Sequence, residues 1–241
     1  IGMNVNNSNY IFIIADWRGF YGSSAAAYSG SPGRGEDGYD CIEWIALQTW
    51  SNQKIGTWGP SALGRVQYMT AKKNPPHLTC ICPLVAGPQY DYIEYFPGGV
   101  LRTEYVEQLD GLGFGISPIL MLHTVHDIAW TISENTNFYA DSINVPCFMI
   151  GGWYDHTIKF MLEFFNGLRT QSPLSVRDKH RLLMGPWTHG GIGRLVQGEL
   201  SYANALHWSD SLAMMFFDFH LRTISNGWDI TPFVQYFQML S

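Results

Sequence analysis

A chain of 241 residues that is 46% apolar, 15% aromatic and only 14% charged is long enough for one large α/β domain, and this composition excludes a disordered tail or a coiled coil. Fourteen Lys and Arg against twenty Asp and Glu give a net charge of −6, and no basic run exceeds Lys72-Lys73. Nucleic acid and an acidic membrane surface are therefore excluded as expected partners. The longest apolar runs, Ile11 to Ala15 and Leu212 to Phe217, fall far short of the ~20 residues of a membrane span.

In chain order, Tyr10 to Ala15 is rich in β-branched residues and stops at Asp16, which predicts a central parallel strand. A Gly-rich connection over 19–38 leads to a helix from Tyr39 to Thr49, where Ile42, Ile45, Ala46 and Trp50 are spaced to face a sheet. Lys54 to Trp58 predicts a strand, Ala62 to Lys73 a helix closed by Asn74-Pro75-Pro76, and Leu78 to Val85 another strand. After Asn144 the alternation resumes with strands over Val145 to Gly151 and Arg181 to Met184, and with helices over Ile158 to Thr170 and Tyr202 to Thr223. This alternation predicts an α/β fold with a mainly parallel sheet and helices on both faces.

Residues 1–86 and 145–228 then read as the two parts of one core, with 87–144 an inserted helical cap, because the alternation breaks there into aromatic and Gly-rich pieces. Residues 229–241 have strand character and read as the opening of a further β domain that is absent. Apolar strands left unpaired at both ends predict association into a homo-oligomer.

The chemistry is expected where strands end. Lys54 to Trp58 runs through Gly59-Pro60-Ser61-Ala62-Leu63-Gly64 into a helix, the setting of a nucleophilic serine on a tight strand-to-helix turn. Gly59 and Gly64 supply the room that such an elbow needs, although Leu63 stands where Gly-x-Ser-x-Gly has its second glycine; an ordinary N-cap at Ser61 is the competing reading. Asp155 follows the strand ending in Gly152-Trp153-Tyr154, and His189 follows the one ending in Gly185-Pro186-Trp187-Thr188. The chain order Ser61, Asp155, His189 is that of an α/β-hydrolase triad, in which carboxylate and imidazole activate the hydroxyl. Asp155 as a cap for the helix near Thr157 and His189 as a plain loop residue are the alternatives.

Other candidates carry less. Four cysteines are too few for a disulfide scaffold and most read as buried thiols, and Cys80-Ile81-Cys82 lacks Cys-x-x-Cys spacing. His123, His126 and Asp127 have helical spacing without a third obvious ligand, so no metal and no cofactor are expected. Trp130, Phe138 and Tyr139 are candidate lining for an acyl pocket, and Asn6-Asn7-Ser8 is a short sequon.

Glu36-Asp37-Gly38-Tyr39-Asp40, Glu43-Trp44, Trp50-Ser51-Asn52, Gly56-Thr57-Trp58-Gly59, Pro75-Pro76-His77-Leu78, Gly152-Trp153-Tyr154-Asp155 and Gly185-Pro186-Trp187-Thr188-His189 resemble, in this order, the CocE/NonD hydrolases. That superfamily holds X-Pro dipeptidyl-peptidases, cocaine esterase, α-amino-acid ester hydrolases and glutaryl-cephalosporin acylases. The resemblance implies an α/β-hydrolase fold with Ser61 as nucleophile, Asp155 and His189 as its partners, and the Ala62 N–H in the oxyanion hole. Trp58, Pro60, Trp130, Trp153 and Trp187 are the implied pocket lining. Two departures stand out: Ala62 replaces the tyrosine after the serine, and the upstream tyrosine that supplies a second oxyanion donor has no counterpart, which makes the chain resemble an internal piece of a larger hydrolase. The expected function is a serine acyl hydrolase acting on a small ester, amide or short peptide. A silent or impaired hydrolase-fold fragment that serves as a binding module is the alternative.

Overall fold

A computed structural model describes residues 9–26, 33–88, 91–137 and 139–239, and in it the apolar runs pair in the order in which they occur. Strands β1 (Ile55–Pro60), β2 (Leu78–Leu84), β3 (Phe148–Tyr154) and β4 (Arg181–Thr188) lie side by side, all parallel. Two short strands, β5 (Val196–Gln197) and β6 (Leu200–Ser201), form a separate antiparallel pair, and β7 (Val234–Tyr236) closes the main sheet beside β4.

Alternation along the strands sorts the core onto two faces. On one face Ile81, Cys147, Met149, Leu182 and Met184 meet Ile42 of α1 (Arg34–Ala46), Tyr68 of α2 (Ala62–Ala71) and Phe164 of α7 (Ile158–Gln171). On the other, Cys80, Cys82, Phe148, Ile150 and Leu183 meet Phe216 and Leu221 of α9 (Trp208–Arg222), and Trp228 fills the end of that layer. Helix, sheet and helix layers are the arrangement that a doubly covered parallel sheet requires.

Between β2 and β3 the chain forms four short helices, α3 (Tyr92–Tyr95), α4 (Thr103–Gly111), α5 (Ser117–Leu122) and α6 (Ile128–Asn137), while α8 (Leu174–Arg177) sits between α7 and β4. Tyr95, Phe96, Val106, Leu120 and Trp130 give α3 to α6 an apolar cluster of their own. No helix among the described residues is long and apolar enough to cross a membrane.

One expected strand is corrected. Tyr10 to Ala15 forms no strand: Ile11, Phe12, Ile13 and Ile14 are exposed, and only Tyr10 is engaged, its hydroxyl donating to Asp218 of α9 at 2.7 Å. An apolar run states a preference for extended backbone but not a partner, and among the described residues no strand pairs with it. In the closing segment Val234, Gln235 and Tyr236 pair in register with Leu182, Leu183 and Met184 at the edge of this sheet. Trp228 explains its placement, because its ring packs on Phe148 at 4.9 Å and Phe216 at 5.1 Å and so draws the following residues against β4. The sequon at 6–8 and Phe138 lie outside the described residues.

Candidate active site

In a parallel sheet every strand delivers its last residue to the same edge, and Ser61, Asp155 and His189 each directly follow the final residue of β1, β3 and β4. Ser61 has φ 55° and ψ −122°, a conformation that costs a non-glycine residue about 1–3 kcal/mol. It stands at the N-cap position of α2 but makes no side-chain capping bond, so the hydroxyl is not spent on the helix. A Cβ at Gly59 would lie 2.7 Å from Cβ of Leu63, and one at Gly64 would lie 2.6 Å from Cβ of Ala86, which explains both glycines by space. Ala62 is the first residue of α2, so its N–H has no intrahelical carbonyl to bond.

A residue that sequence reasoning missed braces this turn. Gln67 is 3% exposed; its Oε1 accepts from Thr57 Oγ1 at 2.9 Å and Cys82 N at 3.1 Å. Its Nε2 donates to Gly59 O at 3.2 Å and Leu63 O at 3.1 Å. All of its hydrogen-bonding capacity is used to join β1, β2 and α2 beneath the serine.

Asp155 and His189 are brought together, Nδ1 lying 3.2 Å from Oδ1 and 3.1 Å from Oδ2 of a carboxylate that is itself buried. Asp155 Oδ1 also accepts from Thr157 N at 2.8 Å and Thr157 Oγ1 at 3.1 Å, which ties the aspartate to the N-cap residue of α7. No hydrogen bond joins the Ser61 hydroxyl to His189 among the described residues.

His156, next in the chain, was also missed, although the Asp-His pair was visible in the sequence. Its Nδ1 lies 3.4 Å from Asp155 Oδ1, and its ring centroid is 4.6 Å from that of His189 and 4.9 Å from that of Tyr105 on α4. Burial, aided by the charges of His189 and Arg102, holds its pKa below the ordinary imidazole value against the pull of Asp155. Beyond it, Tyr105 donates to Glu94 Oε1 at 3.0 Å, and Glu94 takes both oxygens to Nη2 of Arg65 at 3.1 and 3.3 Å. Arg65 is on α2, four residues after Ser61, so a contiguous set of polar side chains runs from the serine helix through the inserted helices to Asp155.

The aromatic lining residues fare unevenly. Pro60 and Trp58 stand on β1 just before the serine, half-buried, and Trp153 on β3 donates from its indole N–H to Phe237 O at 2.8 Å. Trp187 and Trp130 are core rather than lining. Trp187 is 0% exposed within the layer under α9, and Trp130 lies in the cluster of the inserted helices with its N–H bonded to His123 O. Their size and the hydrophobic surroundings explain this better than a cleft does. His123 and His126 do not converge, since the first pairs with Asp127 and the second with Glu134. Cys80, Cys82 and Cys147 are buried thiols whose pKa burial pushes up, whereas Cys41 is exposed on α1.

The family model of X-Pro dipeptidyl-peptidases (S15 family) matches residues 6–117 and 106–191. The chain belongs to that family. The S15 chain is 24% identical to the cocaine esterase of Rhodococcus sp. (strain MB1 Bresler), over 95% of its own length and 48% of that protein. A CocE/NonD family hydrolase from Staphylococcus aureus superposes with a TM-score of 0.55 at 25% identity, over 84% of this chain and 35% of that one. An aminopeptidase from a Thaumarchaeota archaeon of marine sediment shares the fold, with a TM-score of 0.66 at 17% identity, over 86% of this chain and 41% of that one. The S15 chain thus spans about half the length of the curated relative it matches, and its fold is that of the α/β-hydrolases.

Proposed function

We propose that this chain carries the catalytic centre of a serine acyl hydrolase that cleaves an ester or amide bond through an acyl-enzyme. Ser61 Oγ attacks the carbonyl carbon while its proton passes to Nε2 of His189, and the Nδ1–H of His189 donates to Asp155, which holds the ring in the required tautomer and stabilises the imidazolium. The carbonyl oxygen, now negative, receives the N–H of Ala62. The tetrahedral adduct expels the alcohol or amine, which takes the proton back from Nε2, and a water then repeats the sequence to release the acid and free Ser61.

The observation that carries this reading is the strained, uncapped Ser61 at the sheet edge where the Asp155–His189 pair sits. Substrates are small acyl esters or amides, with X-Pro amides and aryl esters the first to try, given the family and the cocaine esterase relative. A fluorophosphonate probe tests it: labelling at Ser61 that vanishes in Ser61→Ala is expected, and unlabelled folded protein overturns the proposal. A silent or impaired hydrolase-fold fragment that serves as a binding module is favoured by one observation, the missing hydrogen bond between Ser61 and His189. The same probe separates it, because a slow enzyme still labels and a silent one does not.

A further inference from the structure

We propose that Asp155, His156 and His189 form a binding site for a divalent transition metal of the zinc class, and that its occupation switches the hydrolase off. Among the described residues these three form the one group of His, Cys, Asp or Glu side chains whose ligand atoms gather, all within 4.8 Å of one another. One carboxylate oxygen, Asp155 Oδ1, lies 3.4 Å from Nδ1 of His156 and 3.2 Å from Nδ1 of His189. Around tetrahedral zinc, with bonds of ~2.0–2.1 Å, neighbouring donors are about 3.3 Å apart. Two of the three donor separations therefore already suit the ion.

The third, between the two imidazoles, lies within the same 4.8 Å limit and closes by movement of one ring. His156 is free to supply it, since its Nε2 is buried with no hydrogen-bond partner and nothing ties the ring through its far nitrogen. The His156 and His189 side chains are 21% and 34% exposed over a carboxylate that is 0% exposed, so an ion enters past the two rings and keeps water as its fourth ligand. Two imidazoles and one carboxylate select zinc, copper or nickel over magnesium and calcium, which prefer all-oxygen sites.

The inhibition follows from which nitrogen is taken and rests on the proposed serine mechanism, whereas the binding does not. A neutral imidazole carries one proton. A metal on Nδ1 of His189 moves that proton to Nε2 by exchange with solvent, and the bond from Nδ1–H to Asp155 is replaced by two bonds to the ion. No atom is lost, yet Nε2 now donates and can no longer accept the proton of Ser61.

The test uses the whole chain, freed of metal with EDTA. Zinc chloride at micromolar concentration is expected to slow aryl-ester hydrolysis at least tenfold, with EDTA restoring it and millimolar magnesium chloride without effect. His156→Phe keeps a ring against Tyr105 and His189 without a donor, and is expected to raise the inhibitory zinc concentration at least tenfold relative to its own metal-free rate. His156→Gln serves if His156→Phe fails to fold by circular dichroism. Equal zinc sensitivity in wild type and either folded variant overturns the proposal. Binding is read separately with cobalt chloride on Ser61→Ala, where the visible absorption of four-coordinate cobalt is expected and is lost on adding His156→Phe. Its absence overturns the site even if the serine mechanism holds, and its presence supports the site even if fluorophosphonate fails to label Ser61. Binding without inhibition in an active wild type overturns the switch.

Discussion

His180 and His189 stand at opposite ends of β4, one residue before it begins and one after it ends. His180 is 0% exposed and has no nitrogen to spare: Nδ1 accepts from Cys147 N at 3.2 Å, and Nε2 meets Ser172 Oγ at 3.0 Å, whose own proton goes to Leu168 O. His189 is partly open to solvent, holds Asp155 with Nδ1, and makes no hydrogen bond through Nε2 among the described residues. At the starting edge of the sheet both ring nitrogens are consumed as structure; at the finishing edge, among the described residues, one carries no hydrogen bond. In a parallel sheet this asymmetry is general, because loops at the carboxyl ends converge around ligands.

The sharpest way to break the comparison is to remove what orients His189. Asp155→Asn is expected to lower kcat/KM on an aryl ester by about 10⁴-fold, since an amide neither holds the tautomer nor stabilises the imidazolium. Thermal unfolding should change little, because the amide oxygen still accepts from Thr157 N. An active variant would show that the Asp155–His189 bond is as structural as the bonds of His180.

Next in size is the link between the serine helix and the inserted helices. The Arg65–Glu94 pair is nearly enclosed, with side chains 13% and 1% exposed. Glu94→Ala takes the carboxylate from a largely enclosed guanidinium that keeps its bond to Gly87 O at 3.3 Å, and is expected to cost about 1–3 kcal/mol in urea unfolding. Replacing Gln67 with Leu removes its bonds to Thr57, Cys82, Gly59 and Leu63 under the elbow and is expected to cost about 1–3 kcal/mol, with a fall in kcat that exceeds any change in KM.

The buried end of β4 has a signature in pH. Burial, with Arg169 and Arg181 nearby, lowers the pKa of His180 from 6.5 to about 3, and burial, with Lys179 and Arg181, lowers that of His220 to about 4. Unfolding lets both take up a proton below pH 6.5. Their contribution is therefore complete above pH 6.5 and is lost as pH falls towards 3 and 4, at up to about 1.4 kcal/mol per pH unit for each group. Urea midpoints from pH 7 to pH 4 should fall less steeply in His180→Gln than in wild type. Parallel slopes would mean that His180 is already protonated in the fold.

How much of this was legible follows from what each signal encodes. The strands at 55–60, 78–84, 148–154 and 181–188 and the helices between them were visible because runs of apolar residues with the right period must be buried to be stable. Ser61, Asp155 and His189 were visible because they abut those runs. Tyr10 to Ala15 misled, since period and composition look the same in a strand that finds a partner and in one that does not. Gln67 and Glu94 were invisible because their role is created by residues 15 and 29 positions away in the chain, Cys82 and Arg65 respectively. His156 was in plain view, but its value depends on the ring of His189 above it, a tertiary fact.

The smallest effect tests whether a histidine–carboxylate pair means anything outside these settings. His123 Nδ1 lies 2.6 Å from Asp127 Oδ2, a shorter separation than that of His189 from Asp155, but both side chains are about one-third exposed. Solvent screens such a pair, so length alone does not make it strong. Asp127 also caps α6, its Oδ1 accepting from Ala129 N at 2.9 Å and Trp130 N at 3.3 Å. Asp127→Ala is accordingly expected to cost about 1 kcal/mol through the cap, and His123→Ala under about 0.5 kcal/mol through the pair. Denaturant unfolding at neutral pH and at two ionic strengths separates them, because the pair weakens with salt and the cap does not. Should His123→Ala prove the costlier change, the pair would be acting as the buried ones do, and exposure would not be what divides structural from chemical histidines in this protein.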